Sequence, residues 1–253
     1  MNALMKEALP ITPATDVAGR VKALDWERVS RDLDAQGSAM IERLISPAEC
    51  EALAGLYPED GIFRSRVVMG RHGFGRGEYK YFSYPLPDMI SGLRTSIYPH
   101  LVPMANRWNT AMGIDVRYPA KHAEFMARCH DAGQRLPTLL LLQYEAGDYN
   151  CLHQDLYGEH VFPFQVTILL SEPGRDFTGG EFVLTEQRPR LQSRAGRGLP
   201  ALRRLPPGRL RRLEGAARKR IGRIGDSSGR ADNACRRDGH RWHTDCVVGA
   251  GRG

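Results

Sequence analysis

The sequence contains little that a secreted or membrane-spanning protein requires. Its five cysteines are an odd and scattered set, so a framework of disulfide bonds is not expected. No run of about 18 apolar residues is present, and the N-terminus lacks the basic and apolar sequence of a signal peptide. We therefore expect a cytoplasmic protein with reduced thiols and no membrane partner. The cysteines are Cys50, Cys129, Cys151, Cys235 and Cys246.

Lysine, aromatic residues and acidic residues are scarce after residue 194. Residues 195–253 contain 15 Lys and Arg, of which 14 are Arg, against 5 Asp and Glu, and Trp242 is their one aromatic residue. The remainder of the chain, 1–194, has 21 basic and 24 acidic residues, so the basic pI of about 9.3 belongs to the tail. Such a composition buries too little apolar surface to offset the entropy of folding. We predict that this tail is disordered or is translated out of frame.

Before residue 195 the chain has the composition of a globular domain with helices at its start. We expect 1–20 to be a mobile arm. Trp26, Val29 and Leu33 recur at helical spacing and predict a short amphipathic helix that ends at Gly37. The domain should therefore begin at about residue 21.

Two further helices and a strand are predicted in this N-terminal part. Ser38–Ile45 alternates as a strand does. Ser46-Pro47-Ala48-Glu49 combines an N-cap serine, a proline at the first helical position and a glutamate three residues after the cap, which predicts a helix to about Leu56. Ile90–Asn109 has helical spacing, although its two prolines must interrupt or kink the helix.

A basic and aromatic stretch occupies Phe63–Pro87, where arginines and tyrosines alternate with glycines. Cations bind a phosphate backbone, and aromatic rings stack on unpaired bases. We expect Arg71, Phe74, Arg76 and Tyr79 to contact substrate, and the glycines to let the loop close over it. The equally supported alternative is a flexible β-hairpin at a solvated rim.

The stretch from residue 139 to residue 186 organises the rest of the chain. Its apolar runs predict buried strands, separated by clusters of turn residues. The order is strand, turn, strand, turn, and a third strand opened by two glycines. These segments are Leu139–Tyr144, Ala146–Asn150, Phe164–Leu170, Glu172–Asp176 and the run that begins at Gly179-Gly180.

His153 and Asp155 lie between the first two of these strands. In an extended backbone the two side chains share a face, so a ring nitrogen and a carboxylate oxygen can bind one cation. Non-haem Fe(II) oxygenases hold iron with two histidines and one carboxylate, and this pair would supply two of the three ligands. The neighbouring Cys151 is expected to be a packed structural residue.

These residues resemble the core of the 2-oxoglutarate- and Fe(II)-dependent dioxygenases. The run QYEAGDYNCLHQD, with a tyrosine nine residues before the histidine, resembles the alkylated-DNA repair dioxygenases. The later VTILLSEPGRDFTGGEFVL is similar to prolyl-hydroxylase-type members. Over about residues 20–194 the chain also resembles a bacterial family described as oxygenases acting on damaged, methylated DNA.

The resemblance implies a mainly β fold with N-terminal helices (α+β), namely a double-stranded β-helix or jelly roll over residues 21–194. It implies Fe(II) held by His153 and Asp155, 2-oxoglutarate and O2 as cosubstrates, and Tyr144 in contact with the 2-oxoglutarate. The implied reaction is hydroxylation or oxidative demethylation of a substrate such as methylated nucleic acid, with no catalytic residue beyond the metal ligands. The jelly roll is expected to be incomplete, because its C-terminal strands are not recognisable.

The third iron ligand of such a site has no clear counterpart here. The family carries a distal histidine, followed by an arginine that pairs with 2-oxoglutarate, but no histidine lies between Glu186 and Asp238. His240, His243 and Arg252 could replace them, although they lie in no strand pattern. We therefore favour a lost coding frame near residues 194–196.

Several alternatives remain open at this stage. The tail can be a basic arm that binds nucleic acid, or its Cys235, His240, His243 and Cys246 can form a small zinc site with unusual spacing. The chain as a whole can be a non-catalytic jelly-roll remnant or binding module, or a hydroxylase of proteins or small molecules.

Overall fold

A computed structural model describes residues 16–151, 153, 160–180, 182, 185–186, 194–195, 210–215 and 247–251. Several sequence predictions fall outside these ranges and stay predictions. They concern Asp155, most of the run after Gly180, and the tail residues Cys235, His240, His243, Cys246 and Arg252.

Two short helices open the described part of the chain, α1 (Val17–Lys22) and α2 (Trp26–Gln36). The carboxylate of Asp25 caps α2 by accepting the Arg28 N–H at 2.8 Å. At the other end Gly37 adopts a left-handed conformation with φ 72°, which ends the helix. The amphipathic helix and its glycine stop are thereby confirmed. Helix α1 begins at residue 17, so the predicted mobile arm 1–20 is wrong for residues 17–20, and residues 1–15 lie outside the described ranges.

The predicted strand over Ser38–Ile45 is wrong in extent, because strand β1 covers only Met40–Ile41. Arg43 has φ +56°, a left-handed conformation that breaks an extended backbone. The next prediction is confirmed: helix α3 (Pro47–Gly55) begins with a complete capping box between Ser46 and Glu49.

Two further helices contribute to the core behind the sheet, α4 (Asp88–Ala111) and α5 (His122–Asp131). Contrary to the predicted interruption, α4 continues through Pro99 and Pro103. Both prolines are exposed, so water can bind the carbonyl groups that they leave without an intrahelical partner. Trp108 of α4 packs on Phe164, with ring centroids 4.8 Å apart.

The main sheet has seven strands in the order β1-β10-β7-β11-β5-β4-β2. β11 runs parallel to both β5 and β7, whereas the other neighbours are antiparallel. Two-stranded ribbons β3–β6 and β8–β9 lie beside it. The strands are β2 (Phe63–Val68), β3 (Gly75–Arg76), β4 (Glu78–Phe82), β5 (Leu140–Tyr144), β6 (Tyr149–Asn150), β7 (Phe164–Leu169), β8 (Thr185–Glu186), β9 (Arg194–Ala195), β10 (Leu210–Gly215) and β11 (Val247–Gly251).

The fold is a mixture of helices and strands, which confirms the α+β class. In the described ranges helices contain more residues than strands do, so "mainly β" is wrong for this part of the chain. The described strands do not close into a barrel. The strands predicted around 139–144 and 164–170 are confirmed as β5 and β7. Strands β10 and β11 belong to the tail, so its predicted disorder is wrong for residues 210–215 and 247–251. Within the described ranges, every helix is too short or too polar to cross a lipid bilayer.

The sheet has two faces with different surroundings. Phe164, Val166 and Ile168 of β7 and Leu141 of β5 belong to the apolar core that includes the helices. Residues on the other face, which we call the site face, include Tyr79, Leu140, Leu142 and Tyr144, since Tyr79 pairs with Leu142 and alternate residues of one strand share a face. These site-face residues are partly exposed.

Candidate functional site

Tyr144 ends strand β5 on the site face. Its side chain is partly buried, and this burial raises the pKa of the hydroxyl to about 12, although a side-chain hydrogen bond with Asn150 opposes the shift. The phenol is therefore protonated at neutral pH and has an O–H group that can donate.

Gly77 lies directly against the Tyr144 ring. Its φ is +117°, and a Cβ built there would lie 2.8 Å from Cδ1 of Tyr144. A side chain would therefore both strain the backbone and push the ring away. Gly77 sets the position of Tyr144 by allowing this close approach.

The ribbon β3–β6 ties the basic and aromatic loop to the segment before His153. Gly75 pairs with Asn150 and Arg76 with Tyr149, and the Cys151 N–H donates to the Phe74 carbonyl at 2.8 Å. Gly75 has φ +126°, and a Cβ there would overlap the Tyr149 carbonyl oxygen. The prediction that these glycines provide flexibility is therefore wrong for Gly75, which fixes the ribbon by close backbone contact.

His153 follows the ribbon and is exposed. Its Nδ1 lies 2.8 Å from the Cys151 carbonyl oxygen. A carbonyl oxygen can only accept, so Nδ1 carries the proton, and in the neutral imidazole Nε2 then carries the lone pair. A backbone carbonyl that binds the second ring nitrogen is the usual arrangement of a metal-binding histidine. His153 therefore fits the role of an iron ligand.

The rest of the predicted metal site is not described. Asp155 lies outside the described ranges, and within them no group of three His, Cys, Asp or Glu side chains could hold a metal ion. Cys151 is exposed, with Sγ 3.7 Å from the Gly73 carbonyl oxygen, so the prediction of a packed structural cysteine is wrong. The ribbon lies at the rim rather than in the core, which explains the exposure.

The four predicted substrate residues all lie in the hairpin of β2 and β4, but on different surfaces. Arg71 is exposed at the end of a 3-10 turn, and Phe74 stacks on His72 with ring centroids 5.3 Å apart. Arg76 lies on the ribbon, where its Nε is 3.8 Å from a carboxylate oxygen of Asp148.

Tyr79 instead lies on the site face. Its ring meets the edge of Tyr81 at 5.3 Å between centroids, and its hydroxyl is close enough to Tyr144 to raise the pKa of that residue. The Arg64 guanidinium lies 4.4 Å from the centroid of the Tyr81 ring. The site face therefore carries a cation, Arg64, and three tyrosines, Tyr79, Tyr81 and Tyr144.

Sequence reasoning missed Tyr149 and Asn150, which it assigned only to a turn. Both are close to the candidate metal site because the short ribbon places them there. The sequence signal that could have identified them is their position, three to four residues before the candidate ligand His153.

Comparison with known proteins supports the resemblance. Residues 77–202 match the model of a family described as "Oxygenase, catalysing oxidative methylation of damaged DNA". Two uncharacterized proteins from two strains of Mycobacterium tuberculosis are each 48% identical over 128 residues, or 49% of this chain and 55% of theirs. The matched segment spans about half the length of these relatives. No solved structure matches. Residues 77–202 of this chain therefore match the oxygenase family.

Proposed function

We propose that this protein is built as a 2-oxoglutarate- and Fe(II)-dependent dioxygenase that oxidises methylated nucleic acid. The observation that carries the proposal is the bond from His153 Nδ1 to the Cys151 carbonyl, which places the proton on Nδ1, the arrangement of a histidine that binds metal through Nε2. The match to an oxygenase family supports the reaction class. We also propose that the sheet belongs to a jelly roll, as in the dioxygenases that the sequence resembles.

Each site residue has a distinct role in this proposal. His153 and Asp155 would hold Fe(II). When bound, Fe(II) with 2-oxoglutarate and O2 would supply the oxidation of a C–H bond: 2-oxoglutarate loses CO2 to give succinate, one oxygen atom of O2 enters the succinate and the other enters the substrate. Tyr144 would donate its phenolic proton to a carboxylate oxygen of 2-oxoglutarate, because its raised pKa keeps the phenol protonated at neutral pH.

The proposed substrate is a methylated base. Hydroxylation of an N-methyl carbon gives a hydroxymethyl group, which leaves as formaldehyde and returns the nitrogen to its unmethylated form. The exposed Arg71 and Arg76 near the ribbon can bind phosphate groups, since arginine binds phosphate through several donors. The family description supports damaged DNA as the substrate class.

A separate proposal concerns the tail, residues 195–253. We propose that the coding frame is lost near residues 194–196, so that the distal histidine and the cosubstrate arginine are absent from 195–253. Sequencing of codons 186–253 and translation in all three frames should reveal a strand-like run with a histidine and, shortly after it, an arginine. If no frame contains such a run, the frame-loss proposal is wrong, and His240, His243 and Arg252 become the ligands to test.

The proposed activity is tested by release of succinate. The present chain and a frame-restored chain are supplied with Fe(II), 2-oxoglutarate and O2, with methylated oligonucleotide, with peptide, or with neither. We expect succinate from the restored chain, stimulated by the oligonucleotide. Stimulation by peptide alone would favour a protein hydroxylase, and no turnover by either chain would favour a non-catalytic binding module.

Tyr144→Phe provides a sharper test of cosubstrate binding. The substitution keeps the ring beside Gly77 but removes the proton donor. A hydrogen bond to a charged group is worth about 1.5–3 kcal/mol, so the KM for 2-oxoglutarate should rise about tenfold or more in the frame-restored chain. Tyr84→Phe is the control, because the Tyr84 hydroxyl only accepts a bond from Arg94 at the surface. Equal KM values in the two variants would contradict the assignment of Tyr144.

A further inference from the structure

The two faces of the β3–β6 ribbon carry different residues. Gly75 and Asn150 pair with each other, and Gly75 is buried whereas Asn150 is exposed. Arg76 and Tyr149 form the neighbouring pair and therefore project from the opposite, outward face. Both are unusually accessible, since Tyr149 is 57% exposed and the Arg76 side chain 66% exposed.

The ribbon holds this outward pair in place. The backbone of Gly75 is pressed against the Tyr149 carbonyl, and the Cys151 N–H is bonded to the Phe74 carbonyl. Behind Tyr149, the turn is closed by two bonds between Glu145 and Asp148. An exposed ring on an immobilised backbone loses little entropy when it binds a flat partner.

The charges around the ring favour an anionic partner. Arg71 and Arg76 are exposed, and the exposed His72 is stacked on Phe74. Of the carboxylates in the described turn 145–148, Glu145 is exposed, but the Asp148 side chain is only 14% exposed and accepts the Glu145 N–H. Cations and aromatic rings therefore dominate the accessible surface of this loop.

We propose that the outward face of the ribbon binds single-stranded nucleic acid, with the Tyr149 ring stacked on an unpaired base and Arg76 on an adjacent phosphate. A base in a duplex offers only its edges, because its faces are stacked on its neighbours, whereas an unpaired base offers a face to an aromatic ring. The site lies next to His153, whose Nδ1 is bonded to the residue that follows the ribbon. This inference rests on the proposed function and makes the substrate single-stranded.

The test measures binding of a fluorescent single-stranded oligonucleotide to the full chain by anisotropy. Tyr149→Ala should weaken binding at least about fivefold, because one stacked base is lost, while Tyr149→Phe keeps the ring and should bind as the unaltered chain does. Arg76→Gln should weaken binding and reduce its dependence on salt, as the loss of one phosphate contact does. Tyr84→Leu, at the far end of β4, is a distant exposed tyrosine and should have no effect.

The arginine-rich tail can also bind nucleic acid, so each affinity is measured at two salt concentrations. Binding by the tail falls steeply with salt, whereas the ratio between Tyr149→Ala and the unaltered chain should persist. The inference would be overturned if Tyr149→Ala and the unaltered chain had about the same affinity, or if Tyr149→Phe lost as much affinity as Tyr149→Ala. Tighter binding of a duplex or of a peptide, or no binding by the unaltered chain, would also overturn it. Fe(II) and 2-oxoglutarate binding, measured without oligonucleotide, reports separately on the proposed function.

Discussion

Replacement of His153 by alanine should weaken Fe(II) binding by more than about 100-fold. Loss of a group that merely orients a metal ligand costs about 10- to 100-fold in affinity, and loss of the ligand itself should exceed that. The measurement is anaerobic titration of the present chain and of the frame-restored chain with Fe(II). His160→Ala is the matched control, since this partly exposed histidine lies seven residues further along the chain.

Two more substitutions separate the roles of the two ring nitrogens. Asparagine can place an amide N–H where His153 has Nδ1, so His153→Asn can keep the bond to the Cys151 carbonyl while it removes Nε2. We expect this variant to lose iron as completely as His153→Ala does. Retention of iron by His153→Asn, or equal affinities for His153→Ala and the unaltered chain, would contradict the proposed metal site.

Local signals explain why much of the scaffold was predictable. The Ser46–Glu49 capping box and the Gly37 stop depend on residues within one helical turn, and the apolar runs at β5 and β7 are long enough to show a strand. The strand over Ser38–Ile45 was overextended because no sequence signal showed that Arg43 adopts a left-handed conformation.

The rim of the candidate site was less predictable because its contacts are distant in sequence. Strands β3 and β6 are two residues each, which is too short for any periodic pattern, and they pair residues 75–76 with residues 149–150. Tyr149 consequently looked like a turn residue. The bond that orients His153 joins a side chain to a backbone carbonyl, and neither partner's residue type predicts it.

A handful of residues identified the family resemblance, and the family match over residues 77–202 confirms it. Fe(II), 2-oxoglutarate and the roles of His153, Asp155 and Tyr144 remain proposals. Physical reasoning adds what the resemblance did not contain. It gives His153 a defined tautomer, gives Tyr144 a proton to donate, and provides a reason why residues 75 and 77 must be glycine.

Gly75→Ala should disrupt the ribbon at a cost of about 3 kcal/mol or more. A φ of +126° is unfavourable for alanine, and the added Cβ overlaps the Tyr149 carbonyl, which belongs to the backbone and cannot rotate away. Gly70→Ala is the control in the same loop, because its Cβ would lie 3.8 Å from the nearest atom, the Gly75 carbonyl oxygen. That change should alter the free energy of unfolding by about 0.5 kcal/mol or less.

The cost of Gly75→Ala can appear as global destabilisation or as local opening of the ribbon. Amide hydrogen exchange distinguishes these, since the Cys151 N–H is bonded to the Phe74 carbonyl only while the ribbon is closed. In either case that amide should lose its protection. Local opening would also release the Cys151 carbonyl that holds His153 Nδ1, so Fe(II) affinity should fall about 10- to 100-fold although no proposed ligand has changed. Unaltered exchange at Cys151 together with unaltered iron affinity would show that the ribbon does not support the site.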